Sequence, residues 1–155
     1  MEAESKKQIS YEYIRGLIEG EGSFTFSTSK IRLITGEVKR VKIPTFAIGM
    51  HERDEPLIIL VRDTLGLPNK VYNYQQSNKD GIQRGRKAFL IVREIGSLKN
   101  IIIPLFYNRL IGHKRIQFDK WLQDIREDPM VPEGYDILYR LHKNGYYGKN
   151  PKFVD

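Results

Sequence analysis

The chain has 155 residues, a formal net charge of +7 and no cysteine. That length is about one domain with a core of its own, the lack of thiols excludes disulfides and cysteine-based zinc sites, and the charge suits a polyanionic partner. The opening MEAESKKQIS lacks an apolar signal segment and no stretch reaches the roughly 18 apolar residues of a membrane span, so a cytoplasmic protein is expected, or an organellar one whose transit peptide lies outside this sequence.

YEYIRGLIEGE, residues 11–21, places Tyr13, Ile14, Leu17 and Ile18 at helical spacing, with Ser10 as N-cap. SFTFSTSKIRLI and VKRVKIPTFAIGM read as strands joined at Thr35-Gly36-Glu37, a long basic hairpin. A second helix is expected over PLIILVRDTLG, with Asp54 as cap, Pro56 in the first turn and Gly66 as stop. A second hairpin follows in VYNYQQSNKDGIQRGRKAFLIVREI, turning at Asp80-Gly81. SLKNIIIPLF predicts a short helix stopped near Pro104, and HKRIQFDKWLQDIRE a longer one with Phe118, Trp121, Leu122 and Ile125 on one face. After the break DPMVPEG, YDILYRLHKNG predicts a last helix ending at Gly145, and YYGKNPKFVD an irregular tail. The fold class is α+β in the order α-β-β-α-β-β-α, one domain over 1–155 with its core at about 11–127 and a C-terminal helix and tail over 128–155.

The two hairpin regions hold eleven of the 26 basic residues and two of the 19 acidic ones, so the excess positive charge belongs to the strands. Lys30, Arg32, Lys39, Arg40 and Lys42 stand on the first; Lys70, Lys79, Arg84, Arg86, Lys87 and Arg93 stand on the second. Such segregation points to a nucleic-acid surface. Ser27, Ser29, Tyr72, Tyr74, Gln75 and Gln76 lie among the charges and can contact bases or phosphates, although strand tyrosines also serve packing.

Gly16 and Gly20 lie four apart on one face of the first helix, where each costs about 1 kcal/mol against alanine. Small residues at that spacing let two helices approach closely. Glu21 ends this helix where the first basic strand begins, and a carboxylate there can hold Mg²⁺, which takes oxygen ligands. Two copies packed through their glycines would bring two Glu21 side chains together near the Gly20 carbonyls, an arrangement suited to metal-assisted phosphodiester hydrolysis.

Ile14-Arg15-Gly16-Leu17-Ile18-Glu19-Gly20-Glu21-Gly22 resembles the LAGLIDADG motif of homing endonucleases, and the element order matches that family from about Tyr11 to Glu127. The resemblance implies a saddle-shaped antiparallel sheet along the DNA major groove, with helices on its other face, and double-strand hydrolysis across the minor groove. It implies Mg²⁺, with Mn²⁺ as substitute and Ca²⁺ binding without turnover, and no small-molecule cofactor or membrane. Glu21 becomes the metal ligand and Glu19 a capping or packing residue. One motif implies a homodimer through Ile14, Gly16, Leu17 and Gly20, a near-palindromic duplex target and an origin within a mobile intron. Arg15 departs from the motif, which has a small residue there. Met50 stands where homodimeric members often carry a polar residue to position water, which leaves neighbouring His51 as the candidate. Lys114 matches the basic residue that stabilises phosphate charge. In the family register Ser23, Thr25, Ser27 and Ser29 face DNA while Phe24 and Phe26 pack beneath. A non-catalytic reading stays open, an intron RNA maturase or DNA-binding regulator of the same fold.

Overall fold

The computed structural model describes residues 8–75, 81 and 85–155. Helix α1 (Tyr11–Glu21) begins as expected, with the Ser10 Oγ accepting the Tyr13 N–H at 3.0 Å. The two preceding helical donors, Tyr11 and Glu12 N–H, are taken by the side-chain carboxylate of Asp155 at 2.8 and 2.7 Å. A helix leaves its first N–H groups without internal partners, and here the far end of the chain supplies two of the acceptors.

The chain passes from α1 directly into β1 (Gly22–Arg32), turns at Gly36, whose φ of 89° suits glycine, and returns as β2 (Val38–His51). Helix α2 (Glu55–Leu65) ends on left-handed Gly66. Strands β3 (Val71–Gln75) and β4 (Arg86–Val92) complete a four-stranded antiparallel open sheet ordered β1-β2-β4-β3. One face of the sheet contributes Phe24, Phe46, Ile48, Ala88, Leu90 and Val92 to the core, closed by Ile14 and Ile18 of α1, Ile58 and Val61 of α2 and the later helices. Phe24 is its hub, with ring centroids of Phe46, Phe106, Phe118 and Trp121 between 5.0 and 5.5 Å away.

Three local expectations are corrected. Asp54 makes no side-chain cap; instead the His51 Nδ1 accepts the Arg53 N–H at 3.1 Å and opens a 3-10 turn ahead of α2. Pro104 does not stop its helix: α3 (Ile95–Ser97) runs through a π-helical turn (Leu98–Ile102) into α4 (Ile103–Phe106). A proline has no N–H for the carbonyl one turn back, and a π turn widens the ladder at that point. The two carbonyls a donor at position 104 would have served, Asn100 and Lys99, are bonded by Lys152 Nζ at 2.9 Å and the Tyr147 hydroxyl at 3.3 Å.

The tail is therefore not loose. After α5 (His113–Glu127) and α6 (Asp136–Lys143), helix α7 (Tyr146–Lys149) and the residues behind it fold back over α4 and α1. Arg15, 3 % exposed, ties them together, donating from Nε to the Leu105 carbonyl at 2.6 Å and from Nη2 to the Phe153 carbonyl at 2.7 Å. The departure from a small residue at position 15 thus has a structural role.

Candidate nucleic-acid interface and acidic corner

The junction of α1 and β1 is tight. Gly22 leaves the helix in an extended conformation while its N–H still bonds the Ile18 carbonyl, and a Cβ there would meet Ile18 Cγ2 at 2.5 Å, so only glycine fits. Helix α5 lies along this first stretch of β1. Lys114 Nζ donates to the Gly22 carbonyl at 2.5 Å, the Gln117 side-chain oxygen accepts the Phe24 N–H at 3.1 Å, and Trp121 Nε1 donates to the Thr25 carbonyl at 2.8 Å. Glu21 and Lys114, far apart in sequence, meet at one corner.

The two glutamates flanking Gly20 have separate fates. Glu19 accepts the N–H groups of Ile111 at 2.8 Å and Gly112 at 3.2 Å, holding the residues that open α5 at the positive end of that helix. Glu21 stays exposed, and among the described residues nothing holds its carboxylate by hydrogen bond or ion pair. Its oxygens therefore remain available to a hard cation, whose ligand preference they match, and Gly20 lies beside them in the chain. One chain supplies one such carboxylate, half of what a shared site needs.

The water-positioning candidates lie on β2 just beyond this corner. Ile48 lies opposite Gly22 in the sheet, so Met50 and His51 run past the end of β1 and pair instead with Ala88 and Lys87. Met50 packs against the core, and the His51 ring serves its cap with Nε2 against Gly85, so His51 has a structural task that its sequence position did not signal.

Ser23, Thr25, Ser27 and Ser29 alternate with the core-facing Phe24 and Phe26, and the Ser27 hydroxyl shares a 2.7 Å hydrogen bond with Thr45. From Ser29 to Arg40 every residue is exposed, because the first hairpin projects beyond the helices, and it carries Lys30, Arg32, Lys39 and Arg40 with it. Lys42 is a correction: it shares strand parity with Phe46 and Ile48 and pairs with Asp128 at 2.9 Å, so it ties β2 to the segment after α5. That ammonium, with the Met130 N–H behind it, holds the Asp128 carboxyl below its ordinary range.

On the second hairpin Tyr72 and Tyr74 are exposed, Lys70 Nζ lies 5.7 Å over the Tyr72 ring, and Tyr74 stacks on Phe89 at 4.8 Å. Arg86 is clamped across the ladder, bonding the Asn73 side chain at 2.7 Å and its carbonyl at 2.8 Å. Lys87 and Arg93 are exposed; Gln76, Lys79 and Arg84 lie outside the described residues.

On α1, Gly16 and Gly20 are exposed, with nothing among the described residues within 4 Å of an added Cβ, and Leu17 is half-buried beside them. Ile14 is corrected: it is fully buried in this chain's own core and offers nothing to a second copy. Sequence reading missed Gln117 and Arg15 as organisers of the corner. Gln117 had a signal, one turn beyond Lys114; Arg15 had only its i,i+3 pairing with Glu12, since its two carbonyl partners lie 90 and 138 residues away.

Residues 14–125 match the family profile described as LAGLIDADG endonuclease. Among solved structures, the homing endonuclease I-TnaI is 20% identical with a TM-score of 0.58 over 89% of this chain and 99% of its own. I-LtrWI, a LAGLIDADG homing endonuclease bound to target DNA, is 25% identical with a TM-score of 0.55 over 83% of this chain and 41% of its own. I-SmaMI, bound to uncleaved DNA target in the presence of calcium ions, is 21% identical with a TM-score of 0.57 over 94% of this chain and 47% of its own. The chain thus spans nearly all of the first and under half of the other two.

Proposed function

Since the chain belongs to the LAGLIDADG endonuclease family, we propose that it is a site-specific homing endonuclease: a homodimer, encoded within a mobile intron, that hydrolyses both strands of a near-palindromic duplex with Mg²⁺. The observation that carries this reading is the meeting of Glu21 and Lys114 at the α1–β1 corner, where Lys114 Nζ bonds the carbonyl of the residue next to Glu21. The homodimer is supported by the open glycine face of α1, which no other described residue covers.

In the dimer, Glu21 and the Gly20 carbonyl of each copy would hold the divalent cation. Bound there, such a cation would activate water and stabilise the leaving oxygen of the phosphodiester. Lys114 places a positive charge at the same corner, where it offsets charge developing on the phosphate. Ser23, Thr25 and Ser29 present hydroxyls to base edges, while Lys30, Arg32, Lys39, Arg40, Lys70, Lys87 and Arg93 grip flanking phosphates, giving binding that weakens steeply with salt. Ca²⁺ is expected to support binding without turnover, as the calcium-containing I-SmaMI complex with uncleaved DNA suggests by analogy.

One observation favours a second reading. Met50 packs against the core and the His51 Nδ1 is taken by the Arg53 N–H, so of these two residues only the Nε2 side of the exposed His51 is left to stand in for the polar group that positions water in homodimeric relatives. A non-catalytic maturase or DNA-binding regulator follows if nothing else fills that role. Selection of bound duplexes from a randomised library in Ca²⁺, followed by exchange into Mg²⁺, separates the two. Near-palindromes cut at their centre by the native chain, and bound without cutting by Glu21→Gln, support the endonuclease. A consensus that neither protein cuts in Mg²⁺ or Mn²⁺ sinks catalysis, and no consensus at all points to intron RNA.

A further inference from the structure

The glycine stripe of α1 is too small to hold two copies together alone. An 11-residue helix is about 16 Å long, and a stripe about 10 Å wide covers on the order of 160 Å² per copy, about a quarter of what a stable interface of about 1,200 Å² in total requires. The remaining area must come from residues beside the stripe.

One flank is the segment between α4 and α5, which runs alongside α1: Arg109 Nη1 lies 4.0 Å from the Glu12 carboxylate, and two turns further along the Ile111 N–H is bound to Glu19. That segment carries Ile111, 88 % exposed, and the first turn of α5 carries Ile116, 65 % exposed, four residues beyond the Gly112 that abuts Glu19. Single exposed apolar residues are ordinary. Here two large ones flank Lys114 in sequence, on the segment that Glu19 ties to α1 and the helix turn that follows it.

From this we infer that the self-association surface extends from α1 onto the start of α5, with Ile111 and Ile116 covered by a second copy of the chain. The inference rests on the homodimer reading and deepens it. A two-fold interface presents the same patch from both copies, so each isoleucine is buried twice. The consequence for function is direct, because the surface that sets the dimer also fixes the approach of Lys114, and not only of Glu21, towards its symmetry mate.

The test is a sedimentation dilution series on the full chain comparing the native sequence with Ile111→Asp, Ile116→Asp, Gly16→Leu and Ile34→Asp. Ile34, 108 % exposed at the tip of the first hairpin, is the control. Both isoleucines at α5 are exposed in the single chain, so the variants should keep the native circular-dichroism melt when measured as monomers. Burial of one isoleucine is worth about tenfold in association, so Ile111→Asp and Ile116→Asp should each raise the dimer dissociation constant about a hundredfold, while Ile34→Asp leaves it unchanged. If Gly16→Leu dissociates the dimer and the two α5 variants keep the native constant, this inference fails and the dimer stands. A native chain that stays monomeric at every concentration overturns both.

Discussion

Replacing Gly16 with alanine adds one methyl group to the open face of α1, where none of the described residues lies within 4 Å of the new carbon. In a helix interior alanine is favoured over glycine by about 1 kcal/mol. The single chain should gain that amount, equivalent to a rise in Tm of about 2–4 °C for a protein of this size. In a dimer packed through the stripe the same methyl occurs in both copies at the closest approach of two backbones, and overpacking there costs about 1–3 kcal/mol. The sign of the effect therefore depends on protein concentration. Calorimetry roughly tenfold below and tenfold above the native dissociation constant should show Gly16→Ala more stable than native when dilute and less stable when concentrated. A rise at both concentrations would mean that no helix packs on this face. A fall at both would mean that the single chain already packs something against Gly16, contrary to the structure.

Lys114→Met removes the ammonium at the corner and should slow single-turnover cleavage about a hundredfold while leaving duplex affinity within about threefold; an unchanged rate would reduce Lys114 to a strut for Gly22. Arg15→Met leaves the Leu105 and Phe153 carbonyls unpaired, and urea denaturation should show a loss of about 3 kcal/mol, with a loss below about 1 kcal/mol refuting the clamp. Burial, helped by Lys143 and opposed by Asp119, lowers the pKa of His142 beneath its ordinary 6.5. Because the unfolded chain takes up the proton first, stability should be full above pH 6.5 and decline as pH falls through the folded pKa. His142→Phe should flatten that slope, and an NMR titration of the imidazole at or above 6.5 would refute it.

The parts of this molecule that could be read from sequence are those whose causes are local. Ser10 caps its helix through an N–H three residues away, Gly36 and Gly66 turn where a left-handed residue is needed, and the apolar stripe of α5 marks its buried face. Glu21 was legible because it follows a helix stripe and precedes a basic strand. Lys42 was misread because charge counting does not tell which face of a strand a lysine occupies, and Asp128 lies 86 residues on. Pro104 was misread because the donors that repair its missing bond, Tyr147 and Lys152, arrive from the tail. Arg15 is the extreme case, a charge inside the fold whose one local partner is Glu12 and whose two carbonyl partners come from distant segments.

The closure of α1 by Asp155 spans 144 residues, and the Arg15 bond to Phe153 spans 138. During synthesis α1 is made well before the segment that closes it, so two of its leading amides wait for Asp155 and one of the Arg15 bonds waits for Phe153. An 11-residue helix is marginal in water by itself, so the segment bearing Glu21 should settle late, after the hairpins have paired. A chain without residues 153–155 would then form its basic strands around a less firmly closed α1, able to hold a polyanion before it is able to act on one.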